Sequence, residues 1–324
     1  MNADTTLVSV DEIDDARRAI EGRVHRTPVM RSSYIGDVAG VRAILKLELF
    51  QKTGSFKVRG VSNTLRLLSD AERARGVISL SAGNHAQALA WGAARYGVRA
   101  TIVMPSTALP SKVAATRGYG GHVVQTDGDL LATALELQRQ QGSTLVHPFD
   151  DIRMIAGHAS VGLEILDDVP DVDAVVVACG GGGLISGVAA AIKQLRPSVR
   201  VIGVEPEGAA AMTQSLAAGS PQRLVKLDTI ADGLAAPFAG TVTMAHCARF
   251  VDEWAIVSDA EIAAAMRVLL ERCKLVAEPA AATAIAPILN GTLKLAAGST
   301  VVPIICGGNI DADRLAVLLA RFPA

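Results

Sequence analysis

The 324-residue sequence predicts an α/β fold of two domains, each an open, twisted, mostly parallel sheet covered by helices. Three observations carry that prediction. Short apolar strands alternate with longer helical stretches in two successive runs, the pattern of parallel sheets buried on both faces. Hydrophobic residues make up 50% of the chain and charged residues 19%, so a large core forms and disorder is excluded as the main state. The mean hydropathy of +0.34 comes largely from Ala, Val, Leu and Ile and, with 30 glycines, suits buried sheets and closely packed helices.

Residues 11–20 read as a short helix led by acidic residues, and 24–33 (VHRTPVMRSS) as a turn broken at Pro28. AILKLEL, 43–49, alternates like a strand and runs into the polar, Gly-rich loop QKTGSFKVRG; a helix over 58–68 follows. The first run then places strands at 76–80, 99–104, 122–126 and 144–148, separated by helices at 86–96, 111–119 and 130–140. The second run places helices at 153–166, from Leu184 onward, and at 209–216, with strands at 174–178 and 199–205. Ser258 and Glu261 have the spacing of a capping box at the start of a helix over 259–272. A strand at 301–306 and a helix at 311–319 complete the chain, with no internal repeat or low-complexity linker.

Lys and Arg total 31 against 32 Asp and Glu, leaving no global basic field for nucleic acid or an anionic membrane. Residues 174–192 carry no charge, but four glycines interrupt them and their rhythm is strand, loop, helix, so no membrane span is expected. Cysteines 179, 247, 273 and 306 form no CxxC pair, which excludes a visible zinc ribbon, dithiol centre or disulfide scaffold. The acidic opening MNADTTLVSVDEIDD has no apolar signal region, so the cytoplasm is the expected location.

Ligand chemistry in such a fold sits outside the carboxyl ends of the strands and between domains. Four loops there stand out. In Thr53–Lys57 the lysine is either a surface residue or, if desolvated, an amine able to form a Schiff base. Phe56 beside it supplies an aromatic face or ordinary core packing, and Arg59 a supporting charge or a salt bridge. SAGNH, 81–85, joins a strand to a helix whose first N–H groups are free for an anion. Asn84 suits a phenolic oxygen or carboxylate, or simply caps the helix; His85 is a base or a packed histidine. CGGGGLISG, 179–187, strips side chains from a strand–helix turn, as either a phosphate nest or a tight packing turn. No GK[ST] follows it, and Glu205, 22 residues after Gly183, is too little to support dinucleotide binding. In CGGN, 306–309, Cys306 is a buried apolar residue or a weak partner for a ring nitrogen, and Glu278 and Pro279 could shape a pocket floor. An amine for an aldehyde, a nest for a phosphate, and partners for a hydroxyl and a ring nitrogen are what pyridoxal phosphate requires.

The chain resembles the serine/threonine dehydratase group of fold-type II pyridoxal-phosphate enzymes, which also contains serine racemases. The resemblance runs from TPV near residue 27 to GGNID at 307–311; TGSFKVRG at 53–60 is its most specific motif, followed in order by SAGNHAQALA, CGGGGLISG, TIADGL and GGNID. It implies two open α/β domains of the tryptophan synthase β-like kind with the cofactor between them. The large domain would comprise 1–59 and 148–324, and a small mobile one 60–147. It implies that Lys57 carries the cofactor, Phe56 packs beside the ring, and Asn84 bonds the ring hydroxyl. Gly180, Gly181, Gly182 and Gly183 would hold the phosphate, Cys306 would meet the pyridine nitrogen, and Ser81, Ala82, Gly83, Asn84 and His85 would grip the substrate carboxylate. The implied reaction is β-elimination: Lys57 takes the Cα proton, the β-hydroxyl leaves, and the product hydrolyses to a 2-oxo acid and ammonium.

Departures from the family pattern refine the expectation. Serine racemases place a serine where this chain has Ala82 and an asparagine where it has Phe149, so a dehydratase is favoured over a racemase. Metal-binding relatives use a glutamate like Glu205, a carbonyl near Ala209 and a carboxylate where this chain has Ala211, which puts a divalent site in doubt; no metal ligand is assigned. GHAS, 157–160, replaces the usual GQGT and could change the substrate. The sequence ends after the catalytic region, without the regulatory domain of biosynthetic threonine dehydratases, which fits a catabolic role. The expected substrate is L-threonine or L-serine. The alternative is another β-hydroxy amino acid such as phenylserine or 3-hydroxyaspartate, the latter disfavoured by the lack of a clear second-carboxylate arginine. A noncatalytic binding module would leave Lys57, Asn84 and the glycines unexplained. A homodimer or other homo-oligomer is expected by analogy.

Overall fold

The computed structural model describes residues 6–323; the outermost parts of the expected large domain, 1–5 and 324, lie outside the described residues. Among the described residues, ten strands form two sheets. In chain order they are β1 Val29–Arg31, β2 Arg42–Lys46, β3 Val77–Leu80, β4 Ala100–Pro105, β5 His122–Thr126, β6 Thr144–Leu145, β7 Ala174–Ala178, β8 Arg200–Pro206, β9 Glu253–Val257 and β10 Thr300–Pro303. The six-stranded sheet has the order β1-β2-β10-β7-β8-β9 and the four-stranded sheet β5-β4-β3-β6. Every neighbouring pair is parallel except β1 with β2.

The helices are α1 Val10–Ile20, α2 Ser33–Ala39, α3 Lys57–Arg66, α4 Asp70–Arg75, α5 Asn84–Tyr96, α6 Pro110–Gly118, α7 Leu130–Gln141, α8 Ile152–Asp168, α9 Gly183–Leu195, α10 Ala211–Ala218, α11 Thr241–Phe250, α12 Asp259–Glu271, α13 Pro279–Ala282, α14 Ala286–Leu289 and α15 Ala312–Arg321. The Ser258–Glu261 capping box is present at α12, and two more start α1 and α4. The expected strand over 43–49 stops at Lys46, because the chain turns at Leu47 into a 3-10 helix over Glu48–Phe50. The strand expected over 144–148 is regular only over Thr144–Leu145, with one further bond from the Val146 N–H to the Ile78 carbonyl. That over 301–306 is regular over Thr300–Pro303 and its pairing continues past the proline, the Ile304 N–H donating to the Val176 carbonyl and the Ile305 N–H to the Lys46 carbonyl. The turn expected over 24–33 contains β1, an edge strand of three residues that is too short to show a period. Sequence reading also passed over α2, α4, α11, β9, α13 and α14. The four-residue helices α13 and α14 have no room for a 3.6-residue pattern.

The six-stranded sheet holds the larger core. Val175, Val176 and Val177 of β7 are fully buried because helices cover both faces. Helices α3 and α8 cross almost in backbone contact. A Cβ on Gly157 would lie 2.6 Å from the Arg59 carbonyl oxygen and 2.7 Å from the Gly60 Cα. The same crossing buries Arg59 completely. It pairs with Glu48 at 2.8 Å and with Glu164 at 2.7 Å. Lys46, equally buried, pairs with Glu164 at 2.7 Å and donates to the Thr27 carbonyl. The predicted salt-bridge reading of Arg59 thus holds, and the ion network fixes the helix that begins at Lys57.

Candidate active site

The loops that sequence analysis picked out meet at the carboxyl ends of the strands. Ser55 forms an antiparallel bridge with Gly307, the Phe56 N–H donates to the Cys306 carbonyl at 3.1 Å, and the Gly308 N–H donates to the Gly54 carbonyl at 2.9 Å. These bonds place Lys57 and Cys306 together although they are far apart in the chain. Thr53 holds a left-handed φ of 59°, costly for a β-branched residue. Gly54 follows at φ 71°, where a Cβ would lie 2.4 Å from Asn309 Oδ1. The hydroxyls of Thr53 and Ser55 are buried and meet no partner among the described residues.

Lys57 Nζ donates to the Pro148 carbonyl at 2.7 Å and stands 5.1 Å from the centre of the Phe56 ring. Burial pulls its pKa down to about 8, against the opposing pull of Cys306 and Glu278. Lys57 is therefore far easier to deprotonate than an ordinary lysine. Phe56 packs edge-on against the ring of His158, with centroids 4.8 Å apart. His158 is fully buried, burial holds it well below the usual imidazole range, and neither ring nitrogen meets a hydrogen-bond partner among the described residues.

Gly83, not Asn84, takes the N-cap position of α5, which frees the Asn84 side chain for the site. Asn84 Nδ2 donates to Glu278 Oε1 at 2.7 Å, and Asn84 Oδ1 accepts from Asn309 Nδ2 at 2.8 Å. His85 proves to be a packed histidine. Its Nε2 lies 3.0 Å from Ser79 Oγ, whose own hydrogen goes to the Val146 carbonyl, so Nε2 carries the proton. Burial, then Lys57 and His147, keep this ring neutral. In the same loop the Gly83 N–H donates to Ser81 Oγ, and Ala82 presents no hydroxyl.

Gly180 to Gly183 follow β7 and open α9. The packing reading of this turn holds. Added Cβ atoms would meet Leu234 at 2.9 Å from Gly180, Phe149 at 2.4 Å from Gly181, Met212 at 2.5 Å from Gly182 and Phe149 at 3.1 Å from Gly183. Packing alone therefore demands glycine. Among the described residues, no backbone carbonyl accepts from the N–H groups of these four glycines. They stand at the positive end of a 13-residue helix, an arrangement that suits a phosphate. The Pro148–Phe149 segment links the amine to this turn, through the Lys57 bond on one side and the Phe149 packing on the other.

Cys306 is buried, and burial first, then Glu278, push its thiol far above the ordinary range, so it is neutral. Glu278 is pushed up to about 7 by burial, against the Asn84 hydrogen bond. Sequence reading gave Glu278 only a place on the pocket floor and missed the part played by Asn309. The GGN motif was its signal, since a glycine pair allows the asparagine to approach Thr53 and Asn84 closely.

The set fits pyridoxal phosphate: a desolvated amine, free N–H groups at a helix start, a directed amide and a neutral thiol, with two unpartnered hydroxyls beside the lysine. A divalent cation at Glu205 does not fit. Both carboxylate oxygens are already engaged by α10, Oε1 by the Met212 N–H at 2.8 Å and Oε2 by the N–H of Thr213 at 2.8 Å and by its hydroxyl. Ala211 offers no side-chain ligand, and the described residues contain no cluster of three metal-ligating side chains. Nor is any helix among them long and apolar enough to cross a membrane.

Comparison with known proteins points the same way. The family model described as pyridoxal-phosphate dependent enzyme matches residues 20–307. The chain is 44% identical over 314 residues to an L-threonine ammonia-lyase of Thermotoga maritima, covering 95% of this chain and 77% of that one. Among solved structures, maize serine racemase superposes with a TM-score of 0.92 at 38% identity over 98% of both chains. The processed form of threonine deaminase isoform 2 from Solanum lycopersicum superposes with a TM-score of 0.89 at 35% identity, covering 98% of this chain and 95% of that one.

Proposed function

The chain belongs to the pyridoxal-phosphate dependent enzymes, and from that premise we propose that it dehydrates and deaminates L-threonine and L-serine, giving 2-oxobutanoate or pyruvate and ammonium. The observation that carries this reading is the placement of Lys57. Its amine is desolvated, lowered to about 8, and tied through Pro148 and Phe149 to the free N–H groups of the glycine turn.

Bound pyridoxal phosphate supplies an aldehyde that captures amines and a ring that spreads the charge left when a Cα–H bond breaks. The protein supplies the rest. Lys57 Nζ holds the cofactor at rest and, once displaced by a substrate amine, is the base for the Cα proton. The N–H groups of Gly180, Gly181, Gly182 and Gly183 bind the phosphate. Asn84 would donate to the ring oxygen, and the Cys306 thiol, being neutral, would meet the ring nitrogen without lending it a proton. The Ser81–His85 loop receives the substrate carboxylate, and Phe56 and Phe149 exclude water. With Ala82 in that loop there is no hydroxyl to return a proton to Cα from the other side, which supports elimination over racemisation.

His158 favours one second reading. Its buried, unpartnered ring against Phe56 replaces the glutamine of the usual motif and could reshape the pocket for another β-hydroxy amino acid, phenylserine before 3-hydroxyaspartate. We take residues 60–147 as the mobile small domain, the rest as the large one, and a homodimer as the assembly. The test is release of 2-oxo acid and ammonium by the loaded protein from L-threonine, L-serine, phenylserine and 3-hydroxyaspartate, with chiral analysis of recovered serine. The highest kcat/KM on L-threonine or L-serine is expected, with elimination outrunning racemisation. A preference for phenylserine would transfer the assignment to the second reading.

A further inference from the structure

Glu278 belongs to none of the motifs that mark the family in this sequence, yet it controls the residue that does. A carboxylate oxygen accepts when ionised, so the side of Asn84 that faces Glu278 Oε1 at 2.7 Å is its NH2 group. The opposite side, Asn84 Oδ1, is taken by Asn309 Nδ2 at 2.8 Å, which also reaches the Thr53 carbonyl at 2.7 Å. The amide can neither flip nor turn, and one Nδ2 hydrogen is left over. The arrangement is close-fitted: a Cβ on Gly307 would lie 2.4 Å from Glu278 Oε1 and 3.2 Å from Asn84 Nδ2.

We propose that Glu278 is the positioning residue for Asn84, fixing its amide so that the remaining Nδ2 hydrogen points to the ring oxygen of bound pyridoxal phosphate. The inference rests on the cofactor reading above. Asn84 opens α5 after β3, Glu278 stands at the start of α13, and Asn309 lies in the loop after β10, so the lock also ties the carboxyl end of the four-stranded sheet to that of the six-stranded one. The titratable groups facing Glu278 are Lys57 and the neutral Cys306 thiol within the site and Asp232 and Lys112 outside it. Burial and Asp232 favour its neutral form, while the Asn84 and Asn309 donors and Lys112 favour the ionised one. Either form keeps an oxygen able to accept from Asn84, so the lock persists through neutral pH.

The test uses the full-length protein loaded with pyridoxal phosphate, reading the visible absorption band of the bound cofactor and its dissociation constant. Glu278→Ala should change the ratio of the absorption bands and weaken cofactor binding about tenfold, the loss of one buried hydrogen bond. Glu278→Gln, which keeps an acceptor oxygen, should restore both. Asn84→Ala combined with Glu278→Ala should bind no worse than Asn84→Ala alone. If Glu278→Ala does not fold by circular dichroism, Glu278→Met fills the space without an acceptor and takes its place. An unaltered band and affinity in the acceptor-free variant overturn the proposal, as do effects of the two substitutions that add in full. A wild-type protein without a visible band would instead overturn the cofactor reading, so the two failures are distinguishable.

Discussion

The chemistry of the site turns on one amine, that of Lys57, losing its proton cheaply. A free amine captures the aldehyde, and an ammonium does not. With the Lys57 pKa lowered to about 8, capture of pyridoxal phosphate by the cofactor-free protein should accelerate roughly tenfold per pH unit below that value and level off above it. Stopped-flow absorbance between pH 6 and 10 would show the bend; a rate still climbing about tenfold per unit up to pH 10 would mean that burial does not act on this amine. Lys57→Ala should form no covalent band at all. The motif around Lys57 was legible in the sequence because backbone constraint and chemistry coincide there: Gly54 with positive φ, then Ser55, Phe56 and Lys57. The roles of Asn309 and Glu278 were not, because nothing local in a single sequence links positions 84, 278 and 309.

At the scale of elements, α3 carries the amine and a buried ion network carries α3. Removing one member of such a network leaves uncompensated charge, which costs about 3–5 kcal/mol. Arg59→Ala strands Glu48 and part of Glu164 and is expected to destabilise the protein by that amount, measured by urea denaturation. A loss below about 1 kcal/mol would show that water reaches the cluster. Elements with a long period were the legible ones, α8 and α12 among them; α4 was not, although Ser69 and Glu72 form a capping box at its start, because it runs for only six residues. Apart from α11, ten residues long, the missed elements run for seven residues or fewer. β9, with the sequence EWAIV, is an edge strand in which only Ala255 and Val257 are buried. The strand expected over 43–49 stops for a local reason, the turn at Leu47 into a 3-10 helix, where the apolar run outlasts the pairing.

For the whole molecule, the two sheets meet over the site, and a second set of contacts bridges them on the outer side. Lys112 of α6 pairs with Asp232 at 2.6 Å, and Ser111 Oγ donates to Asp311 Oδ2 at 2.9 Å. If residues 60–147 move as a small domain, these contacts hold the closed arrangement. Asp232→Asn then raises KM for L-threonine several-fold while kcat falls less, because closure and not proton transfer is impaired. Equal loss of kcat with unchanged KM would argue that Asp232 acts on the chemistry. The alternation of strand and helix announced both sheets in the sequence. Their mutual placement was not legible, since the contacts across it include side chains such as Ser111 and Lys112 that look like ordinary surface residues.

The central claim is that Lys57 holds pyridoxal phosphate for elimination from L-threonine. The most direct measurement is the visible spectrum of the loaded protein during addition of L-threonine. The account predicts a band that shifts on mixing and recovers as substrate is consumed, with 2-oxobutanoate accumulating in step. A protein that forms no band with pyridoxal phosphate, or a band that ignores both L-threonine and L-serine, would contradict it.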